Sequence, residues 1–126
     1  MENPKKRILI AEDDSFISEI YKINLENAGF EIIIAESGHE AVNIPKETKP
    51  NLILLDLLLP GLNGFEILEK LKKNPETSNI PVIILSNLSQ KEDIEKAKSL
   101  GAIDYIVKSE TSSKEIVRKL KEILCE

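Results

Sequence analysis

Five short apolar runs constrain the fold of this 126-residue chain more than any other feature. They lie at 8–11, 32–35, 52–55, 82–85 and 105–107. They consist mainly of isoleucine, leucine and valine, and polar residues do not alternate with the apolar ones. A strand of a parallel sheet is covered on both faces and therefore takes this continuous apolar character. The runs predict five buried parallel strands.

Segments with helical spacing separate these runs. Apolar residues recur every three or four positions in the first, third and last of them: Phe16, Ile17, Ile20, Ile23, Leu25 and Ala28; Phe65, Leu68 and Leu71; and Ile116, Val117, Leu120, Ile123 and Leu124. Alternating strands and helices predict an α/β fold, a doubly wound (βα)5 open parallel sheet with helices on both faces. Such sheets bind ligands at the carboxyl ends of their strands.

Local signals support the helices. Helix start signals of the capping-box type occur at Ser37-x-x-Glu40, Ser89-x-x-Glu92, Ser112-x-x-Glu115 and, in a looser form, Asn63-x-x-Glu66. Gly29 and Gly101 follow the first and fourth helical segments, where a left-handed residue would end a helix. Pro45 falls inside the second segment and lacks a backbone donor, so we expect that helix to be short or kinked.

Length and composition exclude several classes of protein. The length is typical of one domain, and with no linker or repeat we expect 1–126 to form a single domain with no effector domain encoded. Seventeen basic against 22 acidic residues give a net charge of −5, which argues against direct binding of nucleic acid. No apolar run approaches a membrane span or follows the pattern of a secretory signal. Cys125 is the only cysteine, so we expect a cytoplasmic protein without disulfides.

Charged and hydroxyl side chains follow the predicted strands. They are Glu12, Asp13 and Asp14 after the first strand, Asp56 after the third, Ser86 after the fourth and Lys108 after the fifth. Parallel strands would bring these groups to one edge of the sheet. Carboxylates are ligands suited to Mg²⁺, and Mg²⁺ together with Lys108 would attract a phosphoryl group.

Each of these residues also has a purely structural explanation. The acidic triplet would favour the positive end of the first helix, with Asp14 or Ser15 as its N-cap. Ser86 alone fits a turn, and Lys108 alone fits a solvated strand end. Asp56 is harder to explain in this way, because it lies in the apolar stretch 51–59, where an unpaired carboxylate costs several kcal/mol. The joint placement of these groups favours a functional site.

Four blocks of the sequence, at 8–14, 54–64, 81–86 and 101–108, resemble the signature blocks of receiver domains from two-component response regulators. The resemblance covers nearly the whole chain and implies the flavodoxin-like strand order 2-1-3-4-5. It implies a phosphorylation-dependent signalling switch, not an enzyme, that catalyses only its own phosphorylation and dephosphorylation. A histidine kinase or phosphotransfer protein would donate the phosphoryl group, and an unidentified downstream protein would respond.

The resemblance also implies roles for the residues at the strand ends. Asp56 would be the nucleophile that is phosphorylated. Asp13 and Asp56 would bind Mg²⁺ directly, Glu12 would bind it through water, and the backbone carbonyl of Leu58 would complete the protein ligands.

Three further residues match the switch machinery of the family. Ser86 would bond a phosphoryl oxygen and move on activation, and Lys108 would pair with the phosphoryl group. Tyr105 would turn inward when Ser86 moves; packed on its strand with its hydroxyl in water, it would instead fit the unphosphorylated state. Glu12 is a permissible variant where the family more often has aspartate. The chain departs from the family pattern at Asn87, also a permissible variant, and at Ser109, which stands where receivers usually have a proline after a cis bond. A cis bond before serine costs about 2.5–4 kcal/mol, so we expect Lys108–Ser109 to be trans, with a rearranged loop over 109–112.

Other functions fit the sequence less well. A phosphatase with an aspartyl nucleophile expects a second aspartate two residues later, where this chain has Leu58. The alternative that stays open is a receiver-like module that binds proteins without being phosphorylated. His39 lies in a predicted capping box and is expected to be a surface histidine. The single apolar stripe of the last helix gives no signal for an obligate dimer, so we expect a monomer or weak dimer.

Overall fold

The computed structural model describes residues 5–124; residues 1–4, Cys125 and Glu126 lie outside the described residues. The strands are β1 (Arg7–Ala11), β2 (Glu31–Ala35), β3 (Leu52–Leu55), β4 (Val82–Ser86) and β5 (Asp104–Val107). The helices are α1 (Ser15–Asn27), α2 (Gly38–Thr48), α3 (Gly64–Lys73), α4 (Lys91–Ser99) and α5 (Ser113–Leu124), with a 3₁₀ turn at Lys108–Glu110. Each apolar run is a strand, as predicted.

All five strands form one parallel sheet in the order β2-β1-β3-β4-β5, which confirms the predicted fold. Ala11 at the end of β1 is level with Ala35 on one side and with Leu55 on the other. Ser86 at the end of β4 is likewise level with Val107. The carboxyl ends of the strands therefore meet at a single edge of the sheet.

Two apolar layers cover the faces of the sheet. On one face, alternate strand residues such as Leu9 and Ile53 pack with residues of α2, α3 and α4. On the other face, strand residues such as Ile10 and Leu54 pack with residues of α1 and α5. This double covering explains why the strand sequences are apolar without alternation. No helix within residues 5–124 has the length and apolar character needed to cross a bilayer.

Side-chain caps begin four of the helices, as predicted, at Asp14, Ser37, Asn63 and Ser112. The prediction that Ser89 caps the fourth helix is wrong. α4 begins at Lys91 with Gln90 as its N-cap, and among the described residues Gln90 makes no side-chain capping bond. In the preceding loop, Ser86 and Tyr105 both make hydrogen bonds with Leu88.

Glycine marks two helix ends as predicted, whereas the proline in the second helix does not mark an end. Gly29 and Gly101 have φ of +102° and +110°, the left-handed conformation predicted for them. Pro45 lies inside α2 and does not shorten it, since the helix continues to Thr48 before Lys49, whose φ is +49°. The alternative expectation, a kink at Pro45, stays a prediction.

The predicted apolar stripe of α1 is wrong in part. Phe16, Ile20 and Ile23 lie on the outside of the molecule, with Phe16 75% exposed and the other two at least 42% exposed. The buried residues of α1 are Ser18 and Leu25. Ser18 escaped the prediction because it is polar; its hydroxyl donates to the Ser15 carbonyl at 3.2 Å, so its burial leaves no donor unpaired.

Candidate functional site

Three carboxylates converge at the carboxyl edge of the sheet. Backbone hydrogen bonds between strands continue one residue beyond β1 and β3. Glu12 N–H donates to the Ala35 carbonyl at 2.9 Å, and Asp56 N–H donates to the Ala11 carbonyl at 3.1 Å. Glu12, Asp13 and Asp56 each place a carboxylate oxygen within 4.8 Å of the others. Glu12 and Asp56 are buried, whereas Asp13 is exposed to solvent.

Lys108 brings a cation to this cluster from the end of β5. Its Nζ donates to Asp56 Oδ2 at 2.7 Å and also to Glu12 Oε2. The side chains of Lys108, Asp56 and Glu12 are only 12%, 9% and 4% exposed. Burial alone would lower the pKa of Lys108, but the bonds to Asp56 and Glu12 raise it above its ordinary value. Lys108 is therefore a permanent cation at neutral pH.

The site alters the proton affinity of Glu12. Burial raises the pKa of Glu12 above its ordinary value, and a hydrogen bond shared with Asp56 acts in the same direction. The hydrogen bond from Lys108 opposes that rise. One ammonium group thus faces three carboxylates, and the set retains a negative charge that a further cation would reduce.

The Asp56 carboxylate is held at both oxygens. Lys108 bonds Oδ2, and the backbone N–H of Leu58 donates to Oδ1 at 3.1 Å. Leu58 is otherwise 61% exposed, and it pairs with Asn63 in an antiparallel bridge that closes the loop before α3. The acceptor proposed from the sequence thus has one fixed orientation at the mouth of the site.

Two glycines, which the sequence reasoning missed as parts of the site, let this loop lie close to its neighbours. A Cβ on Gly38 would come 2.6 Å from Leu62 Cβ, and a Cβ on Gly64 would come 2.4 Å from Leu57 Cα. Gly38 N–H also donates to the Pro60 carbonyl at 3.0 Å. Both glycines occupy the first position of a helix, where helix formation itself favours other residues, and that placement was the available signal.

Ser86, Leu88 and Tyr105 form a second group beside the carboxylates. Ser86 is completely buried at the end of β4, and its Oγ accepts the Leu88 N–H at 3.2 Å. The Tyr105 hydroxyl donates to the Leu88 carbonyl. Burial raises the pKa of Tyr105, and the nearby Ser86 hydroxyl opposes that shift. The Tyr105 hydroxyl thus has a partner in the β4–α4 loop, and its role as a switch residue stays a prediction.

The loops that follow β4 and β5 are also tied to each other. Every peptide bond described between residues 5 and 124 is trans, including Lys108–Ser109 as predicted. The rearrangement expected after that bond is the 3₁₀ turn Lys108–Glu110. Ser109 N–H donates to Asn87 Oδ1 at 2.8 Å, so the two departures from the receiver pattern contact each other.

The donor set fits the chemistry predicted for it. Glu12, Asp13 and Asp56 offer the hard oxygen ligands that Mg²⁺ prefers, at one place and beside a cation. Ser86 and Lys108 add a hydroxyl and an ammonium group to the same edge. His39 lies on the exposed side of α2, in keeping with the surface role expected for it. The structure thus brings the proposed site residues together, while their individual roles stay predictions.

Comparison with known proteins gives a consistent result. Residues 8–121 match the family model described as the response regulator receiver domain. The phosphate regulon transcriptional regulatory protein PhoB of Pseudomonas aeruginosa is 39% identical over 119 residues, covering 94% of this chain and 52% of that protein. Protein PilH of the same organism is 41% identical over 104 residues, covering 81% of this chain and 84% of PilH.

A solved structure extends the similarity to the fold. The receiver domain protein (CheY-like) from Methanospirillum hungatei superposes with a TM-score of 0.88 at 32% identity, covering 96% of this chain and 94% of that one. The chain spans about half the length of several of its curated relatives, including PhoB.

Proposed function

Because this chain belongs to the response regulator receiver domain family of two-component signalling modules, we propose that Asp56 accepts a phosphoryl group from a histidine kinase or phosphotransfer protein. The main observation in support is the position of Lys108, whose ammonium group contacts the buried carboxylate of Asp56 and that of Glu12. A buried carboxylate with one fixed orientation and a cation at its oxygen suits nucleophilic attack on a phosphoryl group.

In the proposed transfer, an Asp56 carboxylate oxygen forms a bond to phosphorus while the bond from phosphorus to the donor nitrogen breaks. The electron pair of the broken bond stays on the donor imidazole. Lys108 then exchanges its bond with Asp56 Oδ2 for one with a phosphoryl oxygen, which neutralises charge where it accumulates. The Leu58 N–H keeps its contact with Asp56 Oδ1 and orients the acceptor.

We propose that Ser86 and Tyr105 convert this reaction into a conformational signal. Both side chains contact Leu88, one at its N–H and the other at its carbonyl. If Ser86 turns its hydroxyl toward the phosphoryl group, it releases the Leu88 N–H, and the β4–α4 loop loses one of its supports. A downstream protein that binds this face would then distinguish the two states.

Receiver domains bind Mg²⁺ at an acidic pocket, and we propose that Glu12, Asp13, Asp56 and the Leu58 carbonyl hold it here. When bound, Mg²⁺ neutralises phosphoryl charge. Glu12 already accepts a bond from Lys108, which favours contact through water, whereas exposed Asp13 is available for direct binding. Calorimetry should show that Asp13→Ala abolishes measurable Mg²⁺ binding and that Glu12→Gln weakens it less. Equal losses would contradict this order of ligands.

Intact mass spectrometry tests the acceptor directly. We expect Mg²⁺ and acetyl phosphate to add one phosphoryl group to the wild type and none to Asp56→Asn. Asp104→Asn, which changes a half-buried aspartate elsewhere, should gain the group as the wild type does. An unmodified wild type after incubation with several donors, or an equal gain in Asp56→Asn, would reject the assignment. The first outcome would favour the phosphorylation-independent binding module.

The exposed face of α1 gives a place for a protein donor to bind. Phe16, Ile20 and Ile23 recur at helical spacing on one exposed side of α1, and α1 begins directly after the acidic cluster. We propose that this face packs against an apolar surface of the donor protein.

Phe16→Ala should therefore slow transfer from a protein donor and leave modification by acetyl phosphate unchanged. The control is Ile103→Ala, which removes an exposed apolar side chain just before β5, at the opposite edge of the sheet. Equal effects of the two variants on transfer from the protein donor would reject the α1 surface.

A further inference from the structure

Two residues that depart from the usual receiver pattern contact each other in this chain. Asn87 directly follows Ser86, and Ser109 directly follows Lys108. They lie 22 positions apart, and Ser109 N–H donates to Asn87 Oδ1 at 2.8 Å. Proline, the usual residue at position 109, has no N–H and could not make this bond.

We propose that the Asn87–Ser109 hydrogen bond positions Lys108 over Asp56, in place of the backbone rigidity that a proline would supply. Ser109 lies in the first turn of the Lys108–Glu110 helix, where a backbone N–H has no partner within the helix. Asn87 satisfies that donor and so acts as a cap on the turn that begins at Lys108. The inference rests on the proposed function of Lys108 and Asp56.

The Lys108 ammonium group must be placed accurately, and the Asn87–Ser109 hydrogen bond contributes to that placement. Its ammonium group must reach Glu12 and Asp56 together, across the end of β4, from a strand that borders only β4. A change in the backbone at Ser109 would move the adjacent Cα of Lys108, from which this side chain extends.

The surroundings leave room for that movement. An open groove of about 290 Å³ lies between α1 and the loops after β4 and β5, and Asn87, Lys108 and Ser109 all line it. The Lys108 loop therefore borders open space on this side. Because Asn87 and Ser109 are exposed, loss of their bond should alter the site without preventing the chain from folding.

The bond also connects the two loops that the proposed switch uses. Three successive residues, from the end of β4 into the β4–α4 loop, are held: Ser86 by Leu88 N–H, Asn87 by Ser109, and Leu88 by Tyr105. Asn87 is the member of this set that reaches the Lys108 loop.

The test compares variants at the two positions by the rate of Asp56 phosphorylation with acetyl phosphate and Mg²⁺. Asn87→Ala should lower the maximum rate several-fold, with little change in the half-saturating donor concentration. Its thermal midpoint should fall less than that of Lys108→Met, because the ammonium group is displaced but not removed. Asn87→Asp keeps an oxygen acceptor and should restore most of the rate. Ser109→Ala keeps the backbone N–H, and Ser89→Ala changes an exposed serine of the same loop; both should match the wild type.

Repeating the Asn87→Ala substitution in a Ser109→Pro protein tests the hydrogen bond itself. In Ser109→Pro the donor is absent, so adding Asn87→Ala should cause no further loss. The proposal is overturned if Asn87→Ala matches the wild type, or if it slows the reaction equally with serine and with proline at position 109.

Nuclear magnetic resonance of the Lys108 ε-methylene group gives a measurement that needs no phosphoryl transfer. We expect this resonance to move toward that of an exposed lysine in Asn87→Ala and to stay in place in Ser109→Ala. If the wild type is not phosphorylated but the resonance moves, only the proposed function fails. If the wild type is phosphorylated and the resonance does not move, only the positioning role fails.

Discussion

Replacing Lys108 with methionine should destabilise the protein far more than removing any surface ion pair. The substitution keeps most of the side-chain length but removes the ammonium group that contacts Asp56 and Glu12. These carboxylates are 9% and 4% exposed, so solvent cannot replace the lost cation. Two charges then remain buried without a counter-ion.

The expected cost follows from this burial. Removing one partner of a buried ion pair costs about 3–5 kcal/mol, whereas an exposed pair contributes about 0–1 kcal/mol. Because Asp13 is exposed, water reaches one side of the cluster. We therefore expect a cost at the lower end of this range, about 3 kcal/mol. With an unfolding entropy of about 2.1 cal/mol/K per residue, this loss lowers Tm by roughly 11 °C.

Urea unfolding at pH 7 without added divalent cations measures the effect. The matched control is Lys119→Met, because Lys119 pairs with Asp104 at 3.4 Å and their side chains are 38% and 32% exposed. The control should lose less than about 1 kcal/mol. Equal losses in the two variants would show that the buried carboxylates do not depend on Lys108, and the reasoning would be refuted.

Three further outcomes are expected. Thr77→Val should cost about 1–3 kcal/mol in urea unfolding, because the buried Thr77 hydroxyl donates to the Leu71 carbonyl at 2.7 Å and valine leaves that carbonyl unpaired. Gly64→Ala should cost about 1–3 kcal/mol or more by the same assay, since the new Cβ would lie 2.4 Å from the backbone of Leu57. Glu12→Gln should gain stability over the wild type as pH rises: burial raises the folded pKa of Glu12, so its contribution is fully present below pH 4.5 and is lost as pH passes the raised value. A constant difference between these two proteins across a pH series of thermal melts would contradict that assignment.

The elements that could be read from the sequence are those whose signals are local. The bounds predicted for β3 match the structure, because a strand covered on both faces has no polar residue to blur its ends. The capping box at Ser112 and Glu115 is also present, with Glu115 N–H donating to Ser112 Oγ at 3.2 Å. Such signals depend only on neighbours within four residues, so they do not require knowledge of tertiary contacts.

The wrong predictions concern places where several local structures fit the sequence equally well and tertiary packing determines which one forms. In α1, apolar residues lie on more than one side, so composition did not show which side faces the sheet. Ser18 lies on the buried side, where a hydrogen bond within its own helix satisfies its hydroxyl, whereas Phe16 faces solvent. Ser89 fits a capping box as well as Ser112 does, but α4 begins at Lys91 with Gln90 as its N-cap, next to a loop in which Leu88 contacts distant Tyr105.

The sequence by itself determined which chemical groups follow the strands, because Glu12, Asp56 and Lys108 stand next to apolar runs that only a buried sheet explains. Tertiary structure decided how those groups meet. Lys108 contacts residues 52 and 96 positions away, and only the strand order and parallel register bring them within hydrogen-bond distance. The contact between Asn87 and Ser109 has the same origin, since neither residue carries a local signal for the other. A hydrogen bond acts over about 3 Å, so long-range pairings of this kind exist only once the chain has folded.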